Sequence, residues 1–227
     1  MRRYRVALAG VLAIGLAATR WAPAASADET PAARVESARE VFRELMKSPD
    51  HSIPGKLLKD CKGIAIFPHV VKGAFMVGAR YGKGIVCCRD TGGRWSPPAF
   101  FTLAGGSVGW QIGAEATDVV LVFMSTRGTQ SLLASEFTLG GNLSIAAGPI
   151  GRSAEASTDA RFNAEIYSYA LSKGVFAGLS LEGARIAEDQ ASAQRFYGVP
   201  VRAHAILFEH RVPRRPPEVD RLVHALP

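Results

Sequence analysis

Glycine placed inside β-patterned runs constrains this chain more than any other feature. In AFMVGARYG, Phe75, Val77, Ala79 and Tyr81 alternate with Met76, Gly78, Arg80 and Gly82. In GGSVGWQIGA, Gly105, Ser107, Gly109, Gln111 and Gly113 fall on one face, and Val108, Trp110, Ile112 and Ala114 on the other. VFAGLSLEG repeats the pattern, with Val175, Ala177, Leu179 and Leu181 opposed to Phe176, Gly178, Ser180 and Glu182. Successive strand side chains point to opposite faces, so each run has a bulky face and a stripped one. Glycine in a strand costs stability, and its repeated use implies close approach of backbone or ligand, or a tightly curved sheet. Two readings stay open: a coiled sheet packed against helices, and a smooth groove floor for an acyl chain.

The stretch GGSVG at 105–109 also has the outline of a hydrolase nucleophile elbow. An elbow needs a strand, a sharp turn at the serine and then a helix. Here Gly109 and Gly113 stand where the helix should start, and Asp118, Asp159, His204 and His210 lie in no recognisable setting as partners. Catalysis by Ser107 on lipid esters is therefore the least favoured function, and no catalytic residue is expected.

Around these strands the chain alternates helical and extended texture. Thr30-Pro31 reads as an N-cap with proline at the first helical position. Val35, Ala38, Val41/Phe42 and Leu45/Met46 recur at helical spacing, predicting an amphipathic helix over 31–47 with a solvated face of mixed charge, Arg34 included. A short second helix begins at Pro54 and ends before Gly63. GIAIFP, AFMVGARYG and GIVCCRD read as short strands, with YGKG and DTGG as turns. Further strands are expected at 99–112, 119–124, 143–147, 164–171 and 175–182, with helices over 129–135 and 186–197. GPIGR at 148–152 reads as a tight turn, and Asp118 as a capping or pairing carboxylate. Tyr167 and Tyr169 share one strand face, lining a groove or the core. The fold class that results is α+β: a curved, largely antiparallel, glycine-rich sheet, barrel- or sandwich-like, covered by an N-terminal amphipathic helix and shorter helices. It forms one domain over 28–227, its core over about 30–210 and a proline-rich basic tail over 212–227 that carries a final turn at 218–225.

The N-terminus has its own pattern. Arg2, Arg3 and Arg5 precede an apolar run from Val6 to Ala18, and Ala25-Ser26-Ala27 reads as a cleavage site, so residues 1–27 are expected to be a secretory signal peptide. Its removal takes four arginines and no acid, lowering the net charge from +7 to +3. So mild a basicity, with export, argues against nucleic acid as a partner. The expected location is periplasmic or secreted. Cys61, Cys87 and Cys88 form no metal-ligand spacing and the five histidines none either. No metal or cofactor is expected, and the cysteines read as small buried hydrophobes. At most one of the neighbours Cys87 and Cys88 can meet Cys61 in a disulfide.

The densest cationic zone is Lys56, Lys59, Lys62, Lys72, Arg80, Lys83 and Arg89, interrupted only by Asp60. Cations gathered near apolar surface attract anionic headgroups at about 1 kcal/mol each. These seven are the candidate lipid-binding residues; a solvated, solubilising rim is the other reading.

IPGKLLKDCKGIAIFP, GARYGKGIV, WSPPAF, GGSVGWQIGAEATDVVLVFMS, AAGPIGRSAEA, YSYALSKGVFAGLSLEG and FYGV follow one another in the order of the SYLF domain, which the chain resembles over roughly residues 30–210. The resemblance implies an exported bacterial, non-catalytic lipid-binding protein, its partner an anionic phospholipid or the membrane surface. The phosphoinositide and actin partners of eukaryotic members do not carry over to a periplasmic protein. The alternative function is a protein-interaction or scaffold module using the tail or a sheet edge.

Overall fold

The computed structural model describes residues 29–47, 52–75, 77–108, 113–134, 137–141, 143–150, 163–172, 175–176 and 181–227. The signal-peptide reading of 1–27 lies outside them, as do 109–112 and 177–180.

Helix α1 (Pro31–Lys47) runs as the spacing predicts, burying Val35, Ala38, Val41, Phe42 and Leu45. Helix α2 (Gly55–Asp60) buries Leu57 and Leu58. Strands β1 (Gly63–Phe75) and β2 (Val77–Cys88) form a long antiparallel hairpin. AFMVGARYG is thus a hairpin rather than one strand: Phe75 pairs with Val77. YGKG, expected as a turn, lies inside β2. Strand β3 (Ala99–Val108) pairs with β2, and β4 (Gly113–Phe123) with β1. The run expected as a single strand over 99–112 is a strand as far as Val108, its remaining four residues lying outside the described residues, and the following strand starts earlier than 119.

Helix α3 (Thr126–Ser131) begins sooner than expected, because Ser125 caps it by accepting from the Gly128 N–H at 3.0 Å. Strands β5 (Phe137–Thr138), β6 (Ile145–Ala147), β7 (Ile166–Ser172) and β8 (Val175–Phe176) are followed by β9 (Arg185–Glu188) and helix α4 (Gln190–Tyr197). The helix expected from 186 thus starts four residues late. The carboxylate of Asp189 accepts from the Ser192 N–H at 3.0 Å and fixes the boundary, while Arg185–Glu188 pair with β3 and β5. Helices α5 (Ala203–Leu207) and α6 (Pro217–Ala225) close the chain. Val219 and Leu222 of α6 are fully buried, so the core extends past residue 210 into the expected tail.

The sheet runs β5-β9-β3-β2-β1-β4-β7-β6, with β8 beside β7; among the described residues only the β6–β7 pair is parallel. It curls into a half-barrel. Strand registers sort its side chains into two faces. Phe100 marks the outer one, where its ring meets Phe196 and Tyr197 of α4 edge-on at 5.2 and 6.5 Å.

The opposite, concave face explains the glycines. Phe67, Gly84 and Phe101 stand in one row across β1, β2 and β3. A Cβ on Gly84 would lie 2.3 Å from the Ile66 carbonyl oxygen and 2.5 Å from the Phe67 ring. Gly82 gives the same room to Val70 at 2.7 Å, and Gly105 to Ala184 at 3.0 Å. At these positions the stripped face serves close packing: large side chains lean across glycine, which lets the sheet bend.

Two further strand features follow from local chemistry. The β1 register shifts between Phe67 and Val70, at Pro68-His69, where proline has no N–H to give the ladder. His69 takes a φ of 52°, and its N–H donates to the Asp118 carboxylate at 2.8 Å. Asp118 is thus the pairing carboxylate the sequence suggests. The DTGG turn forms as read, with Gly93 at φ 82°.

Candidate functional site

The seven predicted cations do not form one patch. Lys56 and Lys59 are exposed on α2, three residues apart, and exposed Lys62 follows on the way into β1. Arg89 lies beneath them rather than beside them. Its guanidinium stacks 4.5 Å from the Trp95 ring and donates to the Leu58 and Lys59 carbonyls at 3.2 and 2.8 Å. Arg89 and the Trp95 indole N–H also both donate to the Pro227 oxygen. It therefore satisfies carbonyls that the last turn of α2 leaves open, and stiffens the platform carrying the three lysines.

Lys72 and Arg80 sit at the far end of the β1–β2 hairpin. Lys72 pairs with Arg80 on one side and Glu115 on the other. At about 3.3 Å per strand residue, Lys72 is roughly 30 Å from Lys62. Arg80 is only 8% exposed, and burial pulls its guanidinium below the usual arginine range. Lys83 lies on the outer face, half-buried, where its charge helps hold Asp189 ionised. The structure thus brings Lys56, Lys59 and Lys62 together, uses Arg89 as a strut, and separates the rest.

An open apolar groove of about 330 Å³ lies beside the lysine platform, between the last turns of α1 and α6 and helix α2. Phe42, Met46, Leu58 and Ala225 form its floor, with Arg43 and Lys47 at the rim. Sequence reasoning missed it because its walls come from three separated segments. Phe42 and Leu58 carry a signal only as core positions.

The second surface that the sequence did not expose is on the outer sheet face. Beyond the reach of the helices, Ala116, Val71, Tyr81, Ala104, Arg185 and Thr138 form one register row across six strands, every one of them exposed. Val71 and Tyr81, directly paired, are 42% and 49% exposed. Isolated apolar residues on a surface are ordinary, but a contiguous exposed patch marks an interaction site.

Of the remaining candidates, the two tyrosines fall into the core. Ser107 lies within β3, paired with Gly78, and the next described element is strand β4. Tyr167 and Tyr169 are 4% and 1% exposed. The Tyr169 hydroxyl donates to the Pro149 carbonyl at 3.2 Å, and its ring lies 2.1 Å from where a Gly148 Cβ would be. Gly148 thus serves packing of that ring; residues 151–152 of the expected turn lie outside the described residues. All three cysteines are free and buried. Burial pushes the Cys61 thiol up to about 11 and Cys88 up to about 12, which keeps both protonated. Among the described residues no group of His, Cys, Asp or Glu is arranged to hold a metal ion, and no helix is long and apolar enough to cross a membrane.

Comparison with known proteins agrees with the fold-level resemblance. The family model "Ysc84: Las17-binding protein actin regulator" matches residues 104–227, more than half of the chain. The chain is 39% identical over 180 residues to the SH3 domain-containing YSC84-like protein 1 of Xenopus laevis, covering 78% of this chain and 53% of the frog protein. Its human counterpart is 37% identical over 179 residues, covering 76% of this chain and 52% of the human protein. LAS seventeen-binding protein 3 of Saccharomyces cerevisiae is 41% identical over 182 residues, covering 78% of this chain and 39% of the yeast protein. The chain thus spans about half the length of its animal relatives and less of the yeast one. On this evidence the chain belongs to the Ysc84, or SYLF, family.

Proposed function

We propose that this chain is a non-catalytic protein-interaction domain that presents the outer sheet row centred on Val71 and Tyr81 to its partner. The carrying observation is that exposed cross-strand pair, flanked in the same register row by exposed Ala104 and Ala116. The names of its relatives support a binding role, and the family description makes actin filaments the first partner to try. A photo-crosslinking residue at position 81 should give a discrete protein adduct in cells, and one at exposed Val199 should not. Equal labelling from both positions sinks this reading. Actin pelleting then names the class: the purified protein should sediment with filaments, and Val71→Ser/Tyr81→Ser should weaken sedimentation at least tenfold.

A second reading is anionic-lipid binding, favoured by Lys56, Lys59 and Lys62, which are exposed and make no ion pair with any described residue. Co-sedimentation with anionic vesicles that weakens at high salt, and that fails for neutral ones, is its test. Export through residues 1–27 belongs to the same proposal. An N-terminal mass beginning at Asp28 supports it and directs the partner search to envelope proteins; an unprocessed terminus removes it and leaves actin within reach.

A further inference from the structure

We infer that the groove between α1, α2 and α6 docks an acidic amphipathic helix from a protein partner. The inference rests on the protein-interaction reading for the class of partner, but it concerns a surface remote from Val71 and Tyr81.

Three observations carry it. The floor is apolar and contributed by three helices: Phe42 and Met46 from α1, Leu58 from α2 and Ala225 from α6. A cleft between helix ends is a shape that an apolar helix stripe fills through anchors at i, i+3 or i+4 and i+7. Next, the groove is open along one side. An acyl chain lying there would stay in contact with water along the open side, whereas a helix whose outer face is polar suits that geometry. At about 330 Å³ the groove also lies at the small end for a pocket that encloses a ligand.

Charge supplies the polarity of the partner. Arg43 is exposed on the rim and makes no ion pair with any described residue. Lys47 stands one turn further along the same rim, bonded to Glu44. Lys59 follows Leu58 on α2 and is also unpaired among the described residues. Pro227 completes the lining, and among the described residues no Asp or Glu side chain contributes to it. Glutamates flanking an apolar stripe would meet these cations, while a basic helix would be repelled, so charge decides specificity and association rate more than raw affinity.

The test uses the full chain and two labelled peptide helices, followed by fluorescence anisotropy. One peptide carries Leu at i, i+3, i+4 and i+7 with Glu elsewhere; its twin carries Lys in place of Glu. The Leu/Glu helix should bind saturably, and the Leu/Lys twin at least tenfold more weakly. Arg43→Glu should weaken the Leu/Glu helix about tenfold, and Ala225→Trp, which fills the groove, should abolish binding. Val71→Ser/Tyr81→Ser should leave it unchanged, which separates failure here from failure of the sheet-face reading. Equal binding of both peptides, full binding by a folded Ala225→Trp protein, or anionic vesicles binding where neither peptide does would each overturn the inference. Should Ala225→Trp unfold, the exposed Arg43→Glu variant decides alone.

Discussion

Gly84 and Gly106 lie on adjacent strands of one sheet and look alike in the sequence, yet they do different work. A methyl group on Gly84 meets the Ile66 carbonyl oxygen, a backbone atom that cannot step aside, whereas one on Gly106 meets nothing within 4 Å. Gly84→Ala should therefore lose about 1–3 kcal/mol in denaturant titration, as overpacking does, and Gly106→Ala should stay within about 0.5 kcal/mol of the wild type. Equal effects would mean that the stripped face is not a packing surface. Arg34 is a second case in which residue type misleads. As a charge in helix α1 it reads as solvated, but it is fully buried, 3.3 Å from the Asp189 carboxylate, 3.1 Å from the Ser192 hydroxyl and 5.7 Å from the Phe100 ring centre. The partner is 155 residues away, so no local pattern announces it. Burial works against ionisation of Asp189, but hydrogen bonds from Ser192 and the Arg34 charge outweigh it and hold the carboxyl below its ordinary range. A depressed carboxyl stabilises the fold above its unfolded value, about 3.9, and that contribution is lost as pH falls through the folded value. Asp189→Asn, which keeps a capping oxygen, should flatten the loss of stability below about pH 4. Arg34→Ala should cost about 3–5 kcal/mol near neutral pH, the range for removing one member of a buried ion pair, because it empties a fully buried site and leaves the half-buried Asp189 carboxylate with Ser192 alone.

Elements were legible where a period ran long enough to be counted. Helix α1 repeats its apolar positions over four turns and ends where read. Strand β9 is four residues long and abuts a helix whose cap, Asp189, looks like any other acid until its bond to Ser192 is seen. The β1–β2 hairpin carries no Asn-Gly or Asp-Gly pair at 75–77 to announce reversal, so two strands read as one. That single miss hid the outer row, because its members come together only through the register of six strands. The groove was hidden in the same way, assembled from α1, α2 and α6. Helix α6 gives the test at this scale. The sequence shows it as a final turn at 218–225 within a tail; packed on α1 with Val219 and Leu222 fully buried, it belongs to the core. Leu222→Ala should lower stability by about 2–4 kcal/mol and loosen the α1–α6 contact, seen as faster amide exchange in both helices. A loss below about 0.5 kcal/mol would return the segment to the status of a tail.

Across the whole molecule, charge follows the architecture rather than the order of residues. Seven cations that look continuous over 56–89 are divided by the length of the β1–β2 hairpin, with Lys56, Lys59 and Lys62 at one end and Lys72 and Arg80 at the other. Two groups roughly 30 Å apart along a strand are several Debye lengths apart at physiological salt, where that length is about 8 Å. They therefore cannot attract one small anionic target together, and a flat membrane touching the α2 platform need not touch the hairpin end. If anionic vesicles bind through the platform, Lys56→Glu/Lys59→Glu/Lys62→Glu should abolish binding at about 0.15 M salt, while Lys72→Glu leaves it within twofold. The two sets of changes should also be additive in free energy, as distant sites are. If Lys72→Glu weakens vesicle binding as much as the triple change does, both ends touch the bilayer at once. The hairpin would then lie along the surface, with the Val71–Tyr81 row facing lipid instead of a protein.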